Sequence, residues 1–124
     1  MRIFKNKAFN KWASKEGLND ETLINAMTEI EQGLVEADLG GHVFKKRVAI
    51  AGRGKSGGAR TLLAYKEGDK AFFIYGFAKN ARTNIKGDEL KGLKAYAKVL
   101  FRYSDKALKI ATDAGLLIEV ERNG

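Results

Sequence analysis

Cationic side chains dominate the groups in this sequence that could act on a substrate. Lys45 and Arg47 stand two apart in the apolar-flanked run 43–51, so on a strand they project from one face while Phe44 and Val48 project from the other. Arg60 opens a second apolar run beside a glycine-rich loop, and Lys79, Asn80 and Arg82 follow a third. If the three runs are antiparallel neighbours, these groups converge on one basic surface. Guanidinium forks suit phosphate oxygens, because they grip two at once and stabilise added negative charge without giving up a proton. A lysine in such a cluster can act as a base only when neighbouring cations lower its pKa, and Lys45, Arg47 and Lys79 together push in that direction.

The remaining chemistry is narrowed by what the sequence omits. It has no cysteine and one histidine, His42. Thiolate nucleophiles, disulfides, zinc fingers and paired-imidazole catalysis are excluded, and neither a metal site nor a cofactor is expected. Two phosphate motifs overlap the glycine run: 49–56 fits the phosphate-loop pattern apart from alanine at its first glycine, and 52–57 fits GxGxxG. Both mechanisms require a helix straight after the loop, whose amides and dipole hold the phosphates. Here the residues from Ala59 to Tyr65 read as a strand, so the run reads as a hairpin connection whose Arg53 and Lys55 can touch RNA phosphates. His42, beside Gly40 and Gly41, reads as a turn residue, and Asp88-Glu89 as a helix start rather than a catalytic carboxylate pair.

The 124 residues carry 23 Lys and Arg against 15 Asp and Glu, a net charge of +8. The signs are segregated: 16–38 holds seven acids and no base, and 39–66 holds seven bases and no acid. Such blocks imply one positive face that concentrates polyanions, with nucleic acid the leading partner class. Tyr65, Phe73, Tyr75 and Phe77 interleave with that face. They can be core residues or platforms on which single-stranded bases stack.

These groups need a scaffold, and the length sets it at one domain over 1–124. Phe4, Ala8 and Trp12 recur at helical spacing and place helix one over 5–16, ended by Gly17. Asn19 or Asp20 caps a second helix to about 32, with Leu23, Met27, Ile30 and Leu34 as its apolar stripe. Strands follow over 43–51, 60–66 and 70–77, the last apolar on both faces and therefore central. A helix opens at Asp88 with Leu90, Leu93, Ala97, Leu100 and Phe101 as its stripe, and Ser104 caps a further short one. Residues 104–124 extend the domain, and 116–121 can be a last strand or a tail. The order is α+β. The longest apolar run, 71–78, is too short to cross a bilayer and no targeting segment is visible, so no membrane role and a cytoplasmic location are expected.

Over residues 1–100 the two helices, the run FKKRVAIAGRGKSGGAR, the strand pair after it and above all YGFAKN-x-R-x-N-I resemble the RelE/ParE superfamily of toxins from bacterial type II toxin–antitoxin modules, on its RelE/HigB-like branch. The resemblance implies two N-terminal helices packed on a small antiparallel sheet with a C-terminal helix. It implies a ribosome-dependent endoribonuclease that cuts translated mRNA by attack of a 2′-hydroxyl on the adjacent phosphate, and a cognate antitoxin that neutralises it. Matched strand by strand, Lys45 and Arg47 take the paired basic positions, Arg60 the strand-two arginine, and Lys79, Asn80 and Arg82 the basic segment after the third strand; Lys45, Arg47, Arg60, Lys79 and Arg82 are expected to be catalytic, and Arg53, Lys55, Asn80 and Lys86 to contact RNA. Lys86 stands where the family pattern has a tyrosine, so the general acid and base are not assigned. Two alternatives stay open: a ParE-like inhibitor of DNA gyrase, and a basic RNA-binding module without chemistry.

Overall fold

Asparagine and serine start three of the helices, because a short side-chain oxygen can take up an amide that the first turn leaves unpaired. Asn6 accepts from the Phe9 amide at 2.7 Å, Asn19 from Thr22 at 2.9 Å and Ser104 from Ala107 at 3.1 Å. The computed structural model describes residues 1–50, 54–68, 70–78 and 85–121, of which 54–57 by backbone alone. Along them run β1 (Ile3–Asn6), α1 (Lys7–Glu16), α2 (Asp20–Glu31), β2 (Ala37–Asp38), β3 (Val43–Ile50), β4 (Gly54–Tyr65), β5 (Ala71–Ala78), α3 (Gly87–Phe101), α4 (Asp105–Asp113) and β6 (Leu117–Glu119). The strands form one sheet in the order β2-β3-β4-β5-β1-β6. The fold is α+β, with mostly antiparallel pairing.

The sheet is larger than the expected meander, and β1 is the reason. Residues 3–6, read from sequence as leading into helix one, form an inner strand that pairs parallel with β5 and antiparallel with β6. Ile3 and Phe4 are both buried, on opposite faces, so no polar alternation marks the strand. Phe4 stacks on Phe72 with ring centroids 5.3 Å apart, and α1 buries Phe9 and Ala13 instead of a Phe4-Ala8-Trp12 stripe. Pairing with β1 also settles the C-terminal segment as a strand. Arg2 locks that edge with two hydrogen bonds to Glu119, at 2.9 and 3.0 Å.

Helices cover both faces of the sheet. One core joins Phe9, Leu23, Met27 and Ile30 of α1 and α2 to Ile3, Val48, Leu63 and Phe73. The other joins Ala97, Leu100, Leu108 and Ala111 of α3 and α4 to Phe4, Val43, Phe72 and Ile74. The stripe expected on α3 is the one observed, whereas Leu34 lies beyond the end of α2 and is exposed. The glycine run does not continue as a loop to residue 58. Strand β4 already begins at Gly54, paired with Ile50, and no helix follows, so the phosphate-loop geometry is absent there.

One irregularity sets which side chains share a face with Arg60. Leu62 pairs with Tyr75 while Leu63 pairs with Phe73, which leaves Ile74 as the extra residue of a β-bulge. Without it, Phe73, Tyr75 and Phe77 would alternate onto the α1 face together. With it, Phe73 packs against Phe9 at 5.4 Å, Gly76 faces Trp12 of α1, and Phe77 comes opposite Arg60. A Cβ built on Gly76 would fall within the Trp12 ring, so only glycine fits between this strand and α1. Gly76→Ala should therefore lower stability by about 1–3 kcal/mol in urea unfolding, with part of the loss recovered in a Gly76→Ala/Trp12→Leu double variant. Equal losses in the single and double variants would place the cost elsewhere.

Candidate nucleic-acid interface

Strand periodicity and the β3–β4 register bring three of the expected residues onto one face. Arg47 pairs directly with Arg60, and Lys45 with Leu62. Cross-strand partners have Cβ atoms about 5 Å apart, and like charges so placed repel. Lys46 points to the other face, where it is buried between the Leu34 carbonyl at 2.7 Å and Glu29 at 2.6 Å. It ties α2 to the sheet and takes no part in the cluster.

A carboxylate resolves the repulsion between the two arginines. Glu36, immediately before β2, donates its amide to the Lys45 carbonyl at 2.9 Å, and this ladder bond places its side chain against the pair. Arg60 Nε lies 3.0 Å from Glu36 Oε2 and 3.2 Å from Oε1, and Arg47 Nη2 donates to Oε1 at 3.2 Å. The side chains are 8% exposed for Arg60, 23% for Glu36 and 45% for Arg47, so the cluster opens to solvent from Arg60 outward. Burial alone would push the Glu36 carboxyl up. The hydrogen bond from Arg47 and the charges of Arg60, Lys45 and Arg47 outweigh it and hold the group below the usual carboxylate range. Arg60 Nη1 is buried with no hydrogen-bond partner among the described residues, a donor whose capacity they leave unused.

Glu36 is the residue that sequence reasoning missed. Counting charges placed it in an acidic block apart from the basic one. The hairpin through Gly40, Gly41 and His42, all three with positive φ, folds the end of one block onto the start of the other. The signal was present in DLGGH, a turn that sets 36–38 against 44–47. The acid-free positive face is thus partly balanced from across the hairpin.

The other candidates divide clearly. Tyr65 and Phe73 are core residues on the α1–α2 face, and Phe77 is buried opposite Arg60. Tyr75, partly exposed and 6.1 Å from the Phe77 ring, keeps its place beside the cluster. Lys86 is exposed at the N-cap of α3 and makes no side-chain capping bond. Arg53, Lys79, Asn80 and Arg82 lie outside the described residues, as does the side chain of Lys55. Among the described residues no group of three His, Cys, Asp or Glu could hold a metal, and no helix is long and apolar enough to cross a membrane.

The cluster contributes to folding in a pH-dependent way. Because the folded-state pKa of Glu36 lies below its unfolded value, its contribution is complete above about pH 4.5 and disappears as the pH falls through the folded value. Glu36→Gln should cost about 1–3 kcal/mol at pH 7, and the deficit relative to wild type should shrink below pH 4.5. Thermal melts of the two proteins from pH 7 to pH 3 check this; a deficit constant over that range would remove the ion cluster as its cause.

A family model described as RelE toxin of the RelE / RelB toxin–antitoxin system matches residues 1–120. The match runs past residue 100, where the resemblance in sequence motifs stops, and so takes in α4 and β6. A search of curated proteins returns no match. With 120 of the 124 residues matched, the chain belongs to the RelE toxin family of toxin–antitoxin systems, in which a toxin is paired with an antitoxin.

Proposed function

We propose that this toxin is a ribosome-dependent endoribonuclease that cleaves translated mRNA at the face formed by Lys45, Arg47 and Arg60. The observation that carries the reading is the Arg47–Glu36–Arg60 cluster, a pair of guanidiniums already gripping an anion, with a further buried donor on Arg60 unspent. A scissile phosphate in the place of the Glu36 carboxylate would meet the same forked donors. The 2′-oxygen forms a bond to phosphorus as the bond to the 5′-oxygen breaks, leaving a cyclic phosphate and a 5′-hydroxyl. One proton leaves the 2′-oxygen and one reaches the 5′-oxygen. The extra negative charge on the phosphoryl oxygens in the transition state is what Arg47 and Arg60 stabilise, and their rigid seats on paired strands make that stabilisation preorganised.

Lys45 adds positive potential from the same strand face, and Tyr75 offers an aromatic edge for a neighbouring base. Lys79 and Arg82 are assigned to the same work by their match to the family pattern, and Arg53, Lys55, Asn80 and Lys86 to holding the RNA strand, the first two as cations of the glycine run. No cofactor enters this chemistry.

Brief expression in bacteria followed by mapping of mRNA 5′ ends tests the reading. Cuts confined to translated frames support it, whereas intact mRNA with DNA damage would indicate gyrase inhibition. Arg60→Lys keeps the charge but loses the fork, and should lower single-turnover cleavage on ribosomes roughly a hundredfold with little change in affinity. Full activity in a folded Arg60→Lys protein would remove Arg60 from the reaction.

A further inference from the structure

A second basic surface lies between α3 and the β2–β3 turn, and it differs from the first in having no counter-ion among the described residues. A cleft of about 580 Å³ opens between the β2–β3 turn at Gly41 and His42, the end of β4 at Lys66, and one face of α3. Lys91, Lys94, Lys98 and Arg102 stand at i, i+3, i+7 and i+11, which aligns them along that face. No acid lines the cleft, and none of these four has an ion-pair partner among the described residues. With Lys66 they bring five positive charges to one opening.

The floor is apolar. Phe101 forms it with Ala95, and the aliphatic stem of Lys94 lies against Gly41. Val99, 51% exposed, stands one helical turn from Ala95 and continues the apolar strip past the cleft. The Phe101 ring is not a platform for a nucleic-acid base. Lys66 Nζ sits over it at 4.9 Å from its centroid, and His42 and Phe72 pack against it at 5.9 and 6.1 Å. A phosphate backbone needs no apolar floor, and a base finds the ring face taken. An amphipathic peptide satisfies both features, placing an apolar side chain against Ala95 and the exposed Val99 and its carboxylates against the lysine rim.

We propose that the α3 cleft receives an acidic amphipathic segment of the antitoxin, anchored on Ala95 and Val99 and held by Lys91, Lys94, Lys98 and Arg102. The inference rests on membership of a toxin–antitoxin family and is independent of the cleavage reading. The site it adds to neutralisation shares no residue with the Arg47–Glu36–Arg60 cluster.

The test measures binding of the purified cognate antitoxin, and separately of a short single-stranded RNA, to the full-length toxin by calorimetry. The variants are Lys91→Glu/Lys94→Glu/Lys98→Glu and, to keep helix propensity and folding secure, the corresponding triple change to Gln. Antitoxin affinity should fall at least tenfold in the Glu variant and less in the Gln variant, with RNA affinity within about threefold of wild type. The antitoxin's salt dependence should flatten in both. Unchanged antitoxin binding in the folded Gln and Glu variants overturns the proposal. A loss of RNA binding as large as the loss of antitoxin binding also overturns it, and makes the cleft part of a nucleic-acid track.

Discussion

Two arginines facing each other on adjacent strands repel, and the Glu36 carboxylate is the anion that lies between them. Its seat depends on the β2–β3 hairpin, which carries Glu36 back across Lys45, and on the β3–β4 register, which sets Arg47 against Arg60. A one-residue slip in either pairing would send a member of the cluster to the opposite face. The sheet around it is correspondingly well fixed, with helices packed on both faces and Lys46 and Lys5 pinned from the α1–α2 side by Glu29 and Asp20. Ion pairs of this kind contribute less to net stability than to specifying one arrangement, because desolvation offsets much of their attraction.

The same cluster explains how a strongly basic protein of the RelE family can fold with two arginines set side by side on its sheet. A buried Arg60 guanidinium beside a second arginine and without a counter-ion would oppose folding, whereas one already closed on a carboxylate does so less. The arrangement also separates two kinds of positive charge. Arg47 and Arg60 are balanced internally and held by strands, and the α3 lysines have no ion-pair partner among the described residues and line an apolar cleft. The first kind suits exchange of one anion for another, and the second suits recruitment of an anion from outside.

Much of this was legible in the sequence, and the gaps have physical causes. Period-3.6 stripes and caps located α2, α3 and α4 closely, and period-2 spacing put Lys45 and Arg47 on one face. Strand β1 was hidden because a four-residue strand covered on both faces shows no alternation, and because Phe4, Ala8 and Trp12 happen to share helical spacing. The glycine run looked like a loop since glycine weakens strands in general, yet from Gly54 the backbone is paired with β3. The bulge at Ile74 could not be read from an uninterrupted apolar run, and with it went the assignment of Tyr75 and Phe77 to the Arg60 face. Glu36 was missed because charge counting along a chain ignores what a hairpin brings together.

The account turns on whether the Glu36 carboxylate occupies the place of an RNA phosphate. The direct measurement is the affinity of a short single-stranded RNA for wild type and for Glu36→Gln across a series of salt concentrations. With the internal anion removed, Arg47 and Arg60 are free to take a phosphate. The variant should then bind several-fold more tightly at low salt, with a log–log salt slope steeper by about 0.7. Weaker binding by the folded variant, or equal binding with an unchanged slope, would contradict the claim and leave the cluster a structural one.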